Sequence, residues 1–167
     1  VSFERVIPDP GFAGDDGTAA THVAAALAAF DGAPDTERAA TLAVLQDSRV
    51  LVPVLAVLGE VEYDAAGLAH DKTSDMATVL ITGRDGRTAL LAFTSTASLH
   101  AWDPAARPVP VVLRHAARSA LQDGADAVLV DVAGPVMFPV EGDELTALAD
   151  GLVLVRVGQG WGWTRSM

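Results

Sequence analysis

The sequence predicts a single α+β domain, a mixed β-sheet with helices packed on its faces. Three observations carry this. Apolar runs of strand length occur at 49–58, 127–132 and 152–157, too short and too unbroken for amphipathic helices and suited to strands covered on both faces. Asp85-Gly86 separates two strand-like stretches at 77–83 and 87–93, and that dipeptide accepts the positive φ angles of a two-residue hairpin turn. From residue 87 onward strand-like and helix-like segments alternate, the order that builds a sheet with helical crossovers. The chain has 167 residues, half of them hydrophobic, enough for one domain with a substantial core.

The elements follow from local chemistry. Residues 1–17 carry Pro8, Pro10, Gly11, Gly14 and Gly17 and predict an extended arm. Thr18 is placed to cap a helix running to Phe30, with Val23, Leu27 and Phe30 on one stripe and Gly32 beyond its end. Pro34 stops that helix, and Asp35 or Thr36 can cap a second one reaching Gln46, with Ala39, Leu42 and Leu45 inward. Pro53 interrupts the run at 49–58 and cannot donate a ladder hydrogen bond, which predicts an edge strand or a bulge. Residues 59–75 read as a polar, acidic loop. After the hairpin, Thr94 or Ser95 caps a short helix with Leu99 and Trp102 inward, ended by Pro104. A strand at 108–113, a helix at 114–124 stopped by Gly124, a strand at 127–132 and an extended segment at 135–140 follow. A helix from Glu141 to Asp150 closes at Gly151, and 152–157 is the last strand. The domain division is an acidic arm and helix at 1–33, the α+β domain at 34–157 and a Gly/Trp tail at 158–167.

Composition excludes several classes of function. Net charge is −11, against the clustered bases that nucleic acid or an anionic membrane requires. Residues 1–75 hold 13 acids and 4 bases, net −9, and 76–167 hold 9 acids and 7 bases, net −2. There is no cysteine, so disulfides, thiolate metal sites and thiol nucleophiles are out. No uncharged apolar run reaches the ~20 residues of a spanning helix. The opening VSFERVIPDP lacks a signal peptide's basic start and apolar run. A cytoplasmic protein is the expectation. Abundant Ala, Val, Gly and Arg, with one lysine, suggest a GC-rich bacterial source.

Four pieces, in order, give a resemblance: LVPVLA at 51–56; the turn Gly83-Arg84-Asp85-Gly86-Arg87; Ala92-Phe93-Thr94-Ser95 leading to Leu99–Trp102; and Gly124-Ala125-Asp126 before a buried strand and Phe138-Pro139-Val140. Over residues 49–157 the chain resembles the SseB N-terminal domain family (enhanced serine sensitivity protein B-like), common in actinobacteria. The resemblance implies a fold and a bacterial cytosolic setting, not a reaction.

Candidate chemistry has a structural reading beside each functional one. Glu60, Glu62 and Asp64 alternate and, with His70, Asp71 and Asp75, could ligate Mg²⁺ or Ca²⁺, or simply form a solvated loop. None of His22, His70, His100 and His115 makes a close ligand pair. No nucleophile elbow, Walker A loop or dinucleotide fingerprint occurs, and the glycines at 158, 160 and 162 precede no helix that could cradle phosphate. Arg114 and Arg118 share a helix face and could bind a carboxylate or phosphate. Arg84, Arg87 and Arg107 sit at element ends. The bland alternative for all five is surface pairing with acids. Trp161 and Trp163 alternate with glycines, so both rings face one way on an extended chain. They either cover the sheet's end or anchor a partner.

The functional expectation is a non-enzymatic protein-interaction or regulatory module, contacting a protein partner or forming a homodimer through Trp161 and Trp163. The alternative is a domain binding an amino acid or other carboxylate through Arg114 and Arg118. A second alternative is a metal-dependent hydrolase using the acidic loop. No catalytic residue, metal ligand or cofactor is assigned, and neither nucleic acid nor membrane is expected as a partner.

Overall fold

The computed structural model describes residues 11–57, 62–63, 69–70 and 75–166, with side chains described within 11–55 and 78–166. In chain order the elements are α1 (Thr21–Gly32), α2 (Pro34–Leu45), β1 (Arg49–Val57), β2 (Glu62–Tyr63), β3 (Ala69–His70), β4 (Asp75–Thr78), β5 (Leu80–Thr82), β6 (Thr88–Ala92), α3 (Thr96–Trp102), β7 (Arg107–Val112), α4 (Leu113–Gln122), β8 (Ala127–Val130), β9 (Phe138–Glu141), α5 (Gly142–Ala149), β10 (Leu152–Val157) and β11 (Gly160–Arg165).

Strands β5, β6, β8 and β9 form a four-stranded sheet in that order. Its β6–β8 pair is parallel and the other two are antiparallel, so the sheet is mixed and the fold is α+β. β1 lies between β4 and β7 in an antiparallel sheet. One bridge, Leu51 to Phe93, joins the two sheets. Side chains alternate across the strands as a period of two requires. Val50, Val52, Leu90, Ala92, Val128 and Val130 join the larger core with α1, α2, α4 and α5. Leu51, Leu91 and Phe93 point to the opposite face and pack with Leu99 and Ala106, with Trp102 against them. The apolar runs are unbroken because both faces are covered.

Several expectations change. β1 is central, not an edge, and it carries Pro53 opposite Pro108. Leu51 exchanges both backbone hydrogen bonds with Phe93, so residue 53, of the same parity, directs its backbone away from β7. The missing N–H falls between the Phe93 bridge and the start of β4 pairing at Val54, and no ladder bond is lost. The strand expected over 77–83 splits at Val79: β4 pairs with β1 and β5 with β6. The hairpin turn has three residues rather than two. Gly86 N–H donates to Gly83 C=O (3.0 Å), Gly83 N–H to Arg87 C=O (2.8 Å), and only Gly86 takes a positive φ, +81°. This is a type I turn closed by a left-handed glycine.

Neither α1 nor α2 has a side-chain cap. Thr18 bonds back to the Asp16 carboxylate through its amide and hydroxyl (2.9 and 2.7 Å), a local turn that competes with capping, and α1 starts three residues later. Pro34 opens α2 as its first residue, where a missing N–H costs nothing. α1 also packs into the domain: Val23 and Leu27 are buried in the larger core. The tail at 158–167 is not a tail. Gly160–Arg165 pairs antiparallel with Leu152–Val157, and β11, not β10, is the last strand.

Candidate functional site

Of the four residues singled out from sequence, Arg114 and Arg118 lie on α4 and Trp161 and Trp163 on β11. Arg114 N–H donates to Gln46 C=O (3.3 Å) at the end of α2, and its Nη2 meets the Asp47 carboxylate at 2.6 Å. Arg118 Nε donates to Ala149 C=O (3.2 Å), one of the free carbonyls at the C-terminal end of α5, where a cation suits the helix dipole. Each arginine thus fastens α4 to a neighbouring helix end. Neither lines the cavities described below, and the geometry does not present them as an open anion cradle. Arg87 pairs with Glu141 at 2.7 Å, which holds its guanidinium pKa above the ordinary value through that hydrogen bond.

Gln46 joins α2 to the hairpin. Its side-chain amide accepts from Leu154 N–H (2.8 Å) and donates to Leu154 C=O (2.9 Å), standing in for a neighbouring strand. Leu154 therefore turns its backbone away from β11, and its partner Trp163 turns away from β10. By the same alternation the backbone groups of Trp161, Trp163 and Arg165 all point to the open side of β11.

Side chains divide likewise. Leu152, Leu154, Arg156, Trp161, Trp163 and Arg165 share the inner face. Leu154 is in the core, both tryptophans pack half-buried against it, and Arg156 lies 5.5 Å from the Trp161 ring centroid. The rings cover the core on one side and are half-exposed on the other. Val153, Val155 and Val157 lie on the outer face opposite Thr164, Gly162 and Gly160. Val157 is 61% exposed, and a side chain at Gly162 would meet its Cγ2 at 3.3 Å. The glycines keep this outer face flat.

A second constellation was not foreseen. Asp131 directly follows β8 with φ +52°, a conformation Asp tolerates better than most residues, and is 1% exposed. Its carboxylate accepts from Thr94 N–H (2.8 Å), Thr94 Oγ1 (2.6 Å) and Ser98 Oγ (2.9 Å). Ser95, not Thr94, caps α3, in a capping box with Ser98. Thr94 is left free to meet Asp131. The node locks α3 over the ends of the parallel strands β6 and β8. Ser98 with Asp131 offers a hydroxyl and a carboxylate, yet no histidine is hydrogen-bonded to either among the described residues. His22, His100 and His115 are all exposed.

Two of the cavities bear on the candidate chemistry. An apolar cleft of ≈ 170 Å³ lies between β1, β7 and α4, lined by Val52, Val54, Leu90 and Val109 and rimmed by Thr78 and His115. A polar groove of ≈ 500 Å³ runs beside α1, past Phe12, Asp16, His22, Asp47 and Arg49. Arg49 is saturated there: it pairs with Asp15 (2.9 Å) and donates to Thr18 and Thr94 carbonyls. Hydrogen bonds from Thr18 hold the exposed Asp16 carboxyl below its ordinary pKa. Of the proposed acidic ligands, Glu60, Asp64 and Asp71 lie outside the described residues, and Glu62, His70 and Asp75 are described only as strand backbone. Among the described residues no group of three acids or histidines is arranged to hold a metal.

A mixed-sheet α+β domain closed by a buried carboxylate node, with no catalytic constellation among its described residues, is the class of protein that the geometry defines. The SseB protein N-terminal domain family model matches residues 23–147. The match spans most of the chain, so the protein belongs to that family. No curated protein and no solved structure matches the chain. Asp131, Arg114 and Arg118 fall within the matched span, whereas the β10–β11 hairpin with Trp161 and Trp163 lies beyond it.

Proposed function

We propose that the chain is a non-enzymatic protein-interaction module of the cytoplasm whose contact surface is the β10–β11 hairpin. The observation that carries this reading is the outer face of that hairpin: three valines in a row, Val157 61% exposed, opposite small residues that leave the sheet flat. A flat apolar strip of this kind is the composition of an interface core, and the half-exposed tryptophans lie on the opposite face of the same hairpin. The polar chemistry elsewhere supports holding rather than reacting, since Asp131, Arg38, Arg49, Arg114 and Arg118 are each engaged by partners within the fold. For the same reason binding of a carboxylate by Arg114 and Arg118 draws no support from their geometry. No described helix is long and apolar enough to cross a membrane.

The test is site-specific photo-crosslinking in the host cell. A photoreactive residue at Val157 is expected to give discrete adducts that the same residue at exposed Ala24 on α1 does not. Identical or absent adducts at the two sites would remove the hairpin from the account.

A further inference from the structure

The geometry points to the occupant of the open edge of β11: an extended acidic peptide segment that adds to the hairpin as a further strand, its acidic side chains alternating with apolar ones. The inference rests on the interaction-module reading and names the partner's chemistry.

Two of the fold's edge strands, β7 and β11, differ in what their backbones offer. On β7 the outward positions include Pro108 and Pro110, because each lies opposite a β1 residue, Pro53 or Leu51, whose own backbone points away. Those prolines carry no N–H, and such an edge resists strand addition. On β11 the outward positions are Trp161, Trp163 and Arg165, each with an outward N–H, and only the Arg165 C=O has a partner among the described residues, the Thr164 hydroxyl at 3.5 Å. No hydrogen bond reaches those amides among the described residues, while the opposite edge of the hairpin is occupied by Gln46. Main-chain pairing to such an edge supplies affinity, and the alternate side chains supply selectivity.

Charge decides what the added strand should carry. Arg38, Arg49, Arg87 and Arg114 each have a carboxylate partner. Arg156 and Arg165 have none among the described residues, although the chain holds 22 acids against 11 bases. Residues 152–166 contain no acid at all. A second copy of the hairpin would set bare guanidinium groups against each other and join two chains of charge −11. An acidic strand neutralises them instead. Arg156 and Arg165 share the tryptophan face and the valines share the other. Acids belong on the first side of the added strand and apolar residues on the second.

The experiment uses the full chain and a fluorescein-labelled synthetic heptapeptide of alternating Val and Glu, followed by fluorescence anisotropy at low salt. Saturable binding is expected, weakened roughly tenfold by R156Q/R165Q and abolished when alternate peptide amides are N-methylated. Both arginines are exposed, so the double variant should keep the parent melting temperature, which is measured alongside. The inference is overturned by no saturable binding, by equal binding of a Val–Lys or N-methylated peptide, or by sedimentation showing that β11 is already paired with a second copy. If the Val157 crosslinks persist while the peptide fails, this inference falls and the interaction reading stands. If both fail, both fall.

Discussion

The node under α3 and the hairpin at the end of the chain treat their polar groups in opposite ways. At Asp131 every oxygen has a donor and water is excluded. At the hairpin three backbone amides of β11 point outward and the guanidinium groups of Arg156 and Arg165 lack carboxylate partners among the described residues, beside half-buried Val153 and Val155 and exposed Val157. A satisfied, buried network fixes one arrangement of the elements around it. An unsatisfied edge keeps its hydrogen-bonding capacity for something else. The difference separates what holds this fold from what it presents.

Four changes at three sites break or sharpen that contrast, the sites taken from the largest effect to the smallest. Asp131→Ala leaves the buried Thr94 N–H without an acceptor and forces Ala into a left-handed φ, costing about 3 kcal/mol. For a domain of this size that is a fall in melting temperature of roughly 6–12 °C. Asp131→Asn keeps an acceptor for Thr94 N–H and tolerates the backbone, so it should cost about 1 kcal/mol; calorimetry on both variants separates the two. Gln46→Leu strands Leu154 N–H and C=O and should cost about 2 kcal/mol, loosening the hairpin selectively, so its amides exchange faster while those of β8 do not. Val157→Asp, on the exposed outer face, should shift stability by no more than about 0.5 kcal/mol yet abolish crosslinks from a probe at Val155.

The smallest effect is electrostatic. Asp16 titrates below its ordinary pKa because Thr18 donates to it. A carboxylate whose pKa is lowered by folding stabilises the fold above its unfolded value, and that contribution is lost as pH falls through the folded one. Thr18→Val should move the Asp16 titration upward toward the ordinary carboxylate range, followed by NMR.

The strands at 49–58 and 127–132, the Asp-Gly hairpin and the hydroxyl cap of α3 were legible because each rests on local chemistry: hydrophobic period, turn residues, a capping box. Pro53 misled because its effect depends on which neighbour its nitrogen faces, a matter of register with Pro108 that no local pattern records. The break at Val79 was hidden for a related reason. Residues 77–83 read as one strand, and nothing local says that its two halves pair with different sheets. β11 was missed because Gly160 and Gly162 lower strand propensity, although the alternation that places Trp161 and Trp163 on one face was readable. Asp131 carried only a faint signal, an acid inside an apolar run. Its partners Thr94 and Ser98 lie more than thirty residues earlier, and only the fold brings them together. Arg114 and Arg118 looked like a ligand pair because sequence displays their spacing and conceals Asp47 and the Ala149 carbonyl.

Hydrogen exchange along β11 tests the central claim most directly. Without a partner, the amides of Trp161, Trp163 and Arg165 should exchange fast while those of Gly162 and Thr164, directed at β10, are protected. Adding the Val–Glu heptapeptide should slow the first three alone. Uniform protection along β11 in the free chain, or no change on adding peptide, would contradict the account.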